Sequence, residues 1–234
     1  MGDLGQAGSA AIQLILGGDV RLWSIVALSL KVSLAATVIA AAIGMPLGAL
    51  VALKDFPGRS LAIVMLNACM GLPPVVVGLM VYLMLSRAGP LGPLGLLFTP
   101  GAMIVAQTLL ILPIIAAVSR QIVADAWGEY REQLTSLGAG SMQAAATLLY
   151  DCRFSLTTAI LAGFGRAAAE VGAVLVVGGN IDGVTRVMTT SIALETSKGD
   201  LPQALGLGFV LMAIVLAVNA AALALRNAAG RQGA

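Results

Sequence analysis

Five apolar runs, each carrying no more than two charges, decide what this chain can fold into. They cover residues 22–53, 60–86, 102–119, 154–178 and 201–225, and a helix that crosses a bilayer needs about 20 such residues. They show little alternation of apolar and polar positions, so they predict membrane-spanning helices rather than barrel strands. Composition then removes other classes. Charged residues make up 10% of the chain, against roughly 25% in soluble domains. A net charge of +2 offers no surface for a polyanion, so no nucleic acid is expected as a partner. The chain has no His, no carboxylate pair within a run and no Ser-Lys or Cys dyad at useful spacing, so no catalytic residue, metal or cofactor is expected. Cys69 and Cys152 lack ligand-like spacing and read as small buried hydrophobes, not as a disulfide.

The connections between runs are short. Gly89-Pro90-Leu91-Gly92-Pro93-Leu94-Gly95 cannot continue a helix and reads as an apolar outer loop. Ala7 to Leu16 is too short to span and has no basic cluster before it, which predicts an interfacial helix. The longest polar connection is 120–153. Placing it in the cytoplasm puts seven basic residues inside (Lys54, Arg59, Arg120, Arg131, Arg153, Arg226, Arg231) against four outside (Arg21, Arg87, Arg186, Lys198). The positive-inside rule favours that orientation, with the N-terminus outside and the C-terminus cytoplasmic. The whole chain, 1–234, reads as one membrane domain.

Within the 120–153 connection, Glu132 is followed by Leu137-Gly138-Ala139-Gly140 and Met142. On these residues alone, a solvated amphipathic helix pair is an equal reading. The pattern resembles the EAA loop of ABC importer membrane subunits, although Glu132-Gln133-Leu134 replaces the usual Glu-Ala-Ala and Tyr150-Asp151 stands where Leu-Pro is common. Further segments occur in the same order. Leu30-Lys31-Val32-Ser33-Leu34, Phe56-Pro57-Gly58-Arg59 and Gly71-Leu72-Pro73-Pro74-Val75-Val76-Val77-Gly78 are similar to the molybdate, tungstate and sulfate branch. Gly163 to Ala167, Glu170 to Ala173, Gly178 to Ile181, Thr185 to Val187 and Ile192 to Gly199 are most similar to tungstate permeases.

The resemblance implies an all-α type I ABC importer permease fold: five transmembrane helices plus the N-terminal interfacial helix. It implies a homodimer that forms the translocation pathway in a bacterial or archaeal plasma membrane, with a separate ATPase dimer and an extracytoplasmic oxyanion-binding protein as partners. No G-x-x-x-x-G-K-[ST] phosphate loop is present, so this chain is not expected to hydrolyse ATP and is not itself an enzyme. Glu132, Leu137, Gly138, Ala139 and Met142 are implied to form a knob that docks on the ATPase. The implied cargo is tungstate. Molybdate or sulfate is the near alternative, and an ATP-independent channel or carrier the more distant one.

Two charges fall deep in the fourth run. Arg166 lies 12 residues in from Phe154, about 18 Å along a helix, where an exposed Arg costs roughly 2.5–3.5 kcal/mol. Glu170 is expected one turn further on the same helix face. Either the two form an ion pair that fixes this span, or Arg166 also lends the pathway a positive field for a dianion, with Glu170 keeping the attraction shallow. Lys31 is expected to snorkel. Gly44 with Gly48, and Ala168 with Gly172, predict close helix approach. Pro46, Pro73, Pro74 and Pro113 predict kinks or breaks, and adjacent Pro73 and Pro74 with Gly172 are expected to line the pathway. The polar stretch Asp182 to Asp200 predicts a short helix over 185–196, serving either as a surface for a binding protein or as a plain connector.

Overall fold

The computed structural model describes residues 2–230, and among them there are ten α-helices, one 3-10 turn and no strand. The helices are α1 (Gly2–Leu16), α2 (Val20–Leu53), α3 (Arg59–Met70), α4 (Pro74–Leu85), α5 (Pro100–Ser136), α6 (Ser141–Asp151), α7 (Arg153–Ala168), α8 (Gly172–Gly178), α9 (Met188–Lys198) and α10 (Leu201–Gly230). The fold is all-α, as the apolar runs require. Arg231, counted above among the basic residues, lies outside the described residues. Three helices, α2, α5 and α10, are each long and apolar enough to cross a membrane. The interrupted pairs α3 with α4 and α7 with α8 bring the number of possible spans to five.

Residues at the helix ends explain these boundaries. Asp19 Oδ1 accepts the Leu22 N–H at 2.8 Å and caps the start of α2. At the other end of α2, Arg59 folds back: its Nε donates to Val51 O at 3.0 Å and its Nη2 to Ala52 O at 2.7 Å. The guanidinium thus satisfies carbonyls that the helix end leaves open. Pro73 and Pro74 do not kink a continuous helix. Pro74 is the first residue of α4, a position where the missing N–H costs nothing, and the Pro73 carbonyl accepts from Val76 and Val77.

One helix runs on past its apolar run, and one starts later than expected. After the third apolar run, 102–119, α5 continues to Ser136 and takes the first half of the polar connection with it. Residues 120–136 contain no Pro and one Gly, so nothing ends the helix where its surface turns polar. The predicted helix over 185–196 begins instead at Met188, because Thr185 is used in the turn before it.

The chain divides into two units. One gathers the chain up to Ala35 with Pro73–Gln107 and Ala167–Ala217. Its core is Leu22, Ile25, Val26, Met188, Leu207 and Val210, with Leu14 and Ile15 of α1 against it. In the same unit α4 crosses α8 so closely that a Cβ on Gly78 would stand 2.7 Å from Ala173 Cα. The other unit comprises Ala36–Leu72, Thr108–Arg166 and the chain from Val218 onward. There Ala49, Ala52 and Leu53 of α2 meet Val123 of α5 and Ala144, Ala145 and Leu148 of α6. Gly44 and Gly48 sit directly on the α5 backbone, as the G-x-x-x-G spacing predicts: a Cβ on Gly48 would meet Ala116 O and stand 2.8 Å from Arg120 N.

That contact is backbone on both sides and cannot yield as a side chain would. Gly48→Ala is expected to lower stability by about 1–3 kcal/mol. Gly128→Ala, at an exposed helical position with open space around it, is expected to raise it by about 0.5–1 kcal/mol. Thermal unfolding of the two variants in one detergent decides the matter, and equal midpoints would refute the close α2–α5 approach.

Candidate functional site

Two places gather the residues singled out by sequence. The first is the turn between α5 and α6. Gly138 has φ +72°, a left-handed conformation that glycine adopts without strain. Around it, Ala139 N–H reaches Leu134 O at 3.0 Å and Gly138 N–H reaches Thr135 O at 3.0 Å. This doubled closure is the Schellman arrangement, which turns the chain sharply. Gln143 Oε1 then accepts the Gly140 N–H at 3.1 Å and fixes the start of α6. One side of this hairpin is anchored, with Trp127 and Leu134 against the core of Val123, Ala144 and Leu148. The opposite side carries Leu137 and Met142, which are 82% and 67% exposed. Glu132 is also exposed, and Ala139 is half-buried. The turn thus holds two large apolar side chains in the open on a backbone closed by its own hydrogen bonds.

The second place is the break between α7 and α8. Glu170 is not on a helix face four residues beyond Arg166, as the periodicity predicts. α7 ends at Ala168, and Glu170 lies in the gap before Gly172. For the same reason Ala168 and Gly172 do not share one helix. Glu170 is 3% exposed; its Oε1 accepts the Ala173 N–H at 3.0 Å and caps α8, and its carbonyl accepts from Thr189 Oγ1 at 2.7 Å. Gly172 faces α4: a Cβ there would stand 2.7 Å from Val75 Cγ2 and 3.6 Å from Glu170 Oε1. The first turn of α4 thus meets Gly172 at Val75, the residue after Pro73 and Pro74. Arg166 belongs to the last turn of α7 and is half-buried.

No family model matches the chain. Individual proteins do. A probable anion ABC transporter permease protein of Haloferax volcanii is 43% identical over 225 residues, covering 92% of this chain and 97% of that protein. A tungstate uptake system permease protein of Peptoclostridium acidaminophilum is 42% identical, covering 90% of this chain and 92% of its own. The chain belongs to the ABC transporter permeases. More distantly, it is 28% identical to a sulfate transport system permease protein of Synechococcus elongatus, over 73% of this chain and 62% of that protein. The permease is therefore a multi-pass membrane protein and a transport component.

Sequence reasoning missed part of this permease's polar interior. The stretch from Asp182 to Asp200, read as an outer surface or a connector, is half interior: Thr185, Thr189, Thr190, Ser191 and Glu195 are buried. Thr185 Oγ1 donates to Gly178 O at 2.6 Å and accepts the Ile181 N–H at 2.9 Å, closing the end of α8. Ser29, Ser33 and Gln107 are also buried. Their signal was present as isolated polar residues inside apolar runs, with Ser29 and Ser33 one helical turn apart. Around Ser29, Gln107, Glu170 and Thr189 there is a cavity of about 10 Å³, room for one water and none for a tetrahedral oxyanion.

Both cysteines are free, and both are half-buried rather than buried as the sequence reading had them. Cys152 caps α6 at the foot of the exposed turn, where burial, and then the Asp151 carboxylate, push its thiol pKa up. A raised pKa withholds the thiolate, the species that reacts. In a Cys69→Ser background, alkylation of Cys152 is expected to reach half its maximal rate at a higher pH in the folded permease than in denaturant. Coincident profiles would contradict the burial described here.

Proposed function

We propose that this permease is the membrane subunit of an ATP-driven tungstate importer, acting as a homodimer with a separate ATPase dimer and an external oxyanion-binding protein. The observation that carries the ATP-driven reading is the α5–Gly138–α6 turn: rigid, anchored on one side, and presenting Leu137 and Met142 outward. A channel or carrier that worked alone would have no use for it. The relative named for tungstate uptake, matched at 42% over nearly the full length, supports the cargo. Sulfate, named in a relative at 28%, and molybdate are the near alternatives, since these dianions are alike in shape and charge.

In this reading the N-terminus lies outside and the C-terminus in the cytoplasm, so that the turn faces the ATPase. Five spans are too few to enclose a path, which favours two copies around a twofold axis. ATP binding closes the ATPase dimer, and the turn passes that movement to the helices. Arg166 lends the pathway a positive field, and Glu170, Gly172, Pro73 and Pro74 shape the broken helices beside it.

Leu137 is largely free of the permease's own core, so Leu137→Asp is expected to leave the fold intact and abolish copurification of the ATPase. Retained association would remove the docking role. In proteoliposomes holding the complete complex and binding protein, uptake of radiolabelled tungstate is expected to require ATP. Equal uptake without any ATPase would refute the importer. Arg166→Gln is expected to slow uptake about tenfold, the effect of losing one charge-assisted interaction, with normal amounts of assembled complex. Unchanged uptake would leave Arg166 a structural group alone.

A further inference from the structure

The gap between α7 and α8 places helix ends inside an apolar run, where open carbonyls and N–H groups have no bulk water to meet. Side chains of the first unit meet them one by one. Gln107 Nε2, from α5, donates to Ala167 O at 3.0 Å. Glu170 Oε1 takes the Ala173 N–H, and Thr189 Oγ1 donates to Glu170 O. Thr189 is itself held in place from α2, because Ser29 Oγ accepts the Met188 N–H at 2.7 Å and donates to Ile25 O at 2.9 Å.

One atom of this network stays unmatched. Gln107 is 4% exposed, and its Oε1 is buried with no hydrogen-bond partner among the described residues. The amide cannot be turned round to cure this, since its nitrogen must face the Ala167 carbonyl. Gln107 lines the cavity of about 10 Å³ together with Ser29, Ser33, Ala167, Glu170 and Thr189. That volume admits about one water, and a buried water needs two to four polar partners, which this lining supplies. An acyl chain is excluded by size and polarity, and an oxyanion by size and by the Glu170 carboxylate.

We infer that the break in the fourth apolar run holds one ordered water, which donates a hydrogen bond to Gln107 Oε1, and that Gln107 is the residue that positions it. The water completes the satisfaction of the broken helix. It also gives the gap a small partner that can exchange hydrogen bonds as the helix ends move, where a direct side-chain bond would have to break. The inference concerns the broken run itself and stands whatever anion the permease moves.

A structure of the permease in lipid nanodiscs, at a resolution that shows ordered water, is expected to hold a single peak about 2.7–3.2 Å from Gln107 Oε1. An empty cavity, or a peak at metal-ion distances, overturns the site. Hydrogen exchange tests the positioning role. In Gln107→Met, peptides covering residues 167–173 are expected to exchange about tenfold faster than in the wild type, with the first half of α10 unchanged. Gln107→Glu provides the conservative rescue and keeps the test open if the Met variant does not fold. As a neutral acid it both donates and accepts, so protection relative to wild type returns at low pH. As a carboxylate beside Ala167 O and Glu170, the charged residue lining the cavity, it loses protection at high pH. Exchange in 167–173 that matches wild type in both variants at every pH overturns the inference.

Discussion

Every backbone N–H and C=O inside a bilayer must find a partner within the protein, and in this permease the demand is sharpest where an apolar run is interrupted. A helix with no proline inside it, such as α10, meets it by its own ladder. The two broken runs cannot, and much of the polar chemistry buried in the first unit is spent on their ends. Pro74 starts α4 with a residue that has no N–H to satisfy, and Pro73 supplies the first carbonyl. Glu170 closes the start of α8, and Thr185 its end. Phe98 N–H reaches the Val177 carbonyl at 3.0 Å, although this puts Phe98 at φ +62°, an uncommon conformation for a bulky residue. Its ring is held in turn by an edge contact with Tyr82, 6.1 Å between centroids.

Close approach is the second consequence. Between helices in lipid there is little hydrophobic drive, so association rests on van der Waals contact and on hydrogen bonds. Gly44 and Gly48 bring α2 onto the backbone of α5, and Gly78 brings α4 onto Ala173 of α8. The large apolar side chains that these contacts leave out, such as Val38, Val64, Met212 and Leu216, are exposed. On a soluble protein they would be a liability, but here they are what hydrocarbon requires.

The all-α fold, the apolar runs and the G-x-x-x-G contact were legible in the sequence because each is local, decided by length or spacing, while the Gly138 turn was implied by the family resemblance. The errors share a different origin. Extending α7 through Glu170 took helical periodicity as continuous, yet a tertiary network of Gln107, Thr189 and Glu170 itself makes a break affordable where no proline marks one. The third run, 102–119, carries no sign that its helix goes on without a break into the polar connection, because α5 simply passes from an apolar to a polar setting. The stretch that holds Thr185, Thr189 and Thr190 was read as an outer surface or a connector because it is polar. A buried hydroxyl is invisible to composition when its partner is a carbonyl distant in sequence.

The unbroken course of α5 also bears on how a distant ATPase could act on the membrane region. A force applied at Leu137 or Met142 enters a turn whose backbone is closed by two hydrogen bonds and whose inner side is packed on α2 through Val123, Ala144 and Leu148. Neither glycine nor proline interrupts α5 between residue 129 and its end, so no hinge lies there to absorb the displacement. Further along, Gly128 and Pro113 are the places where α5 bends most easily, and at the gap before α8 polar side chains stand in for the missing helical bonds. The stiff and the compliant parts of the proposed transport cycle are therefore set by the same rule: a helix is rigid while its own ladder satisfies it, and can hinge where other groups have taken over that task.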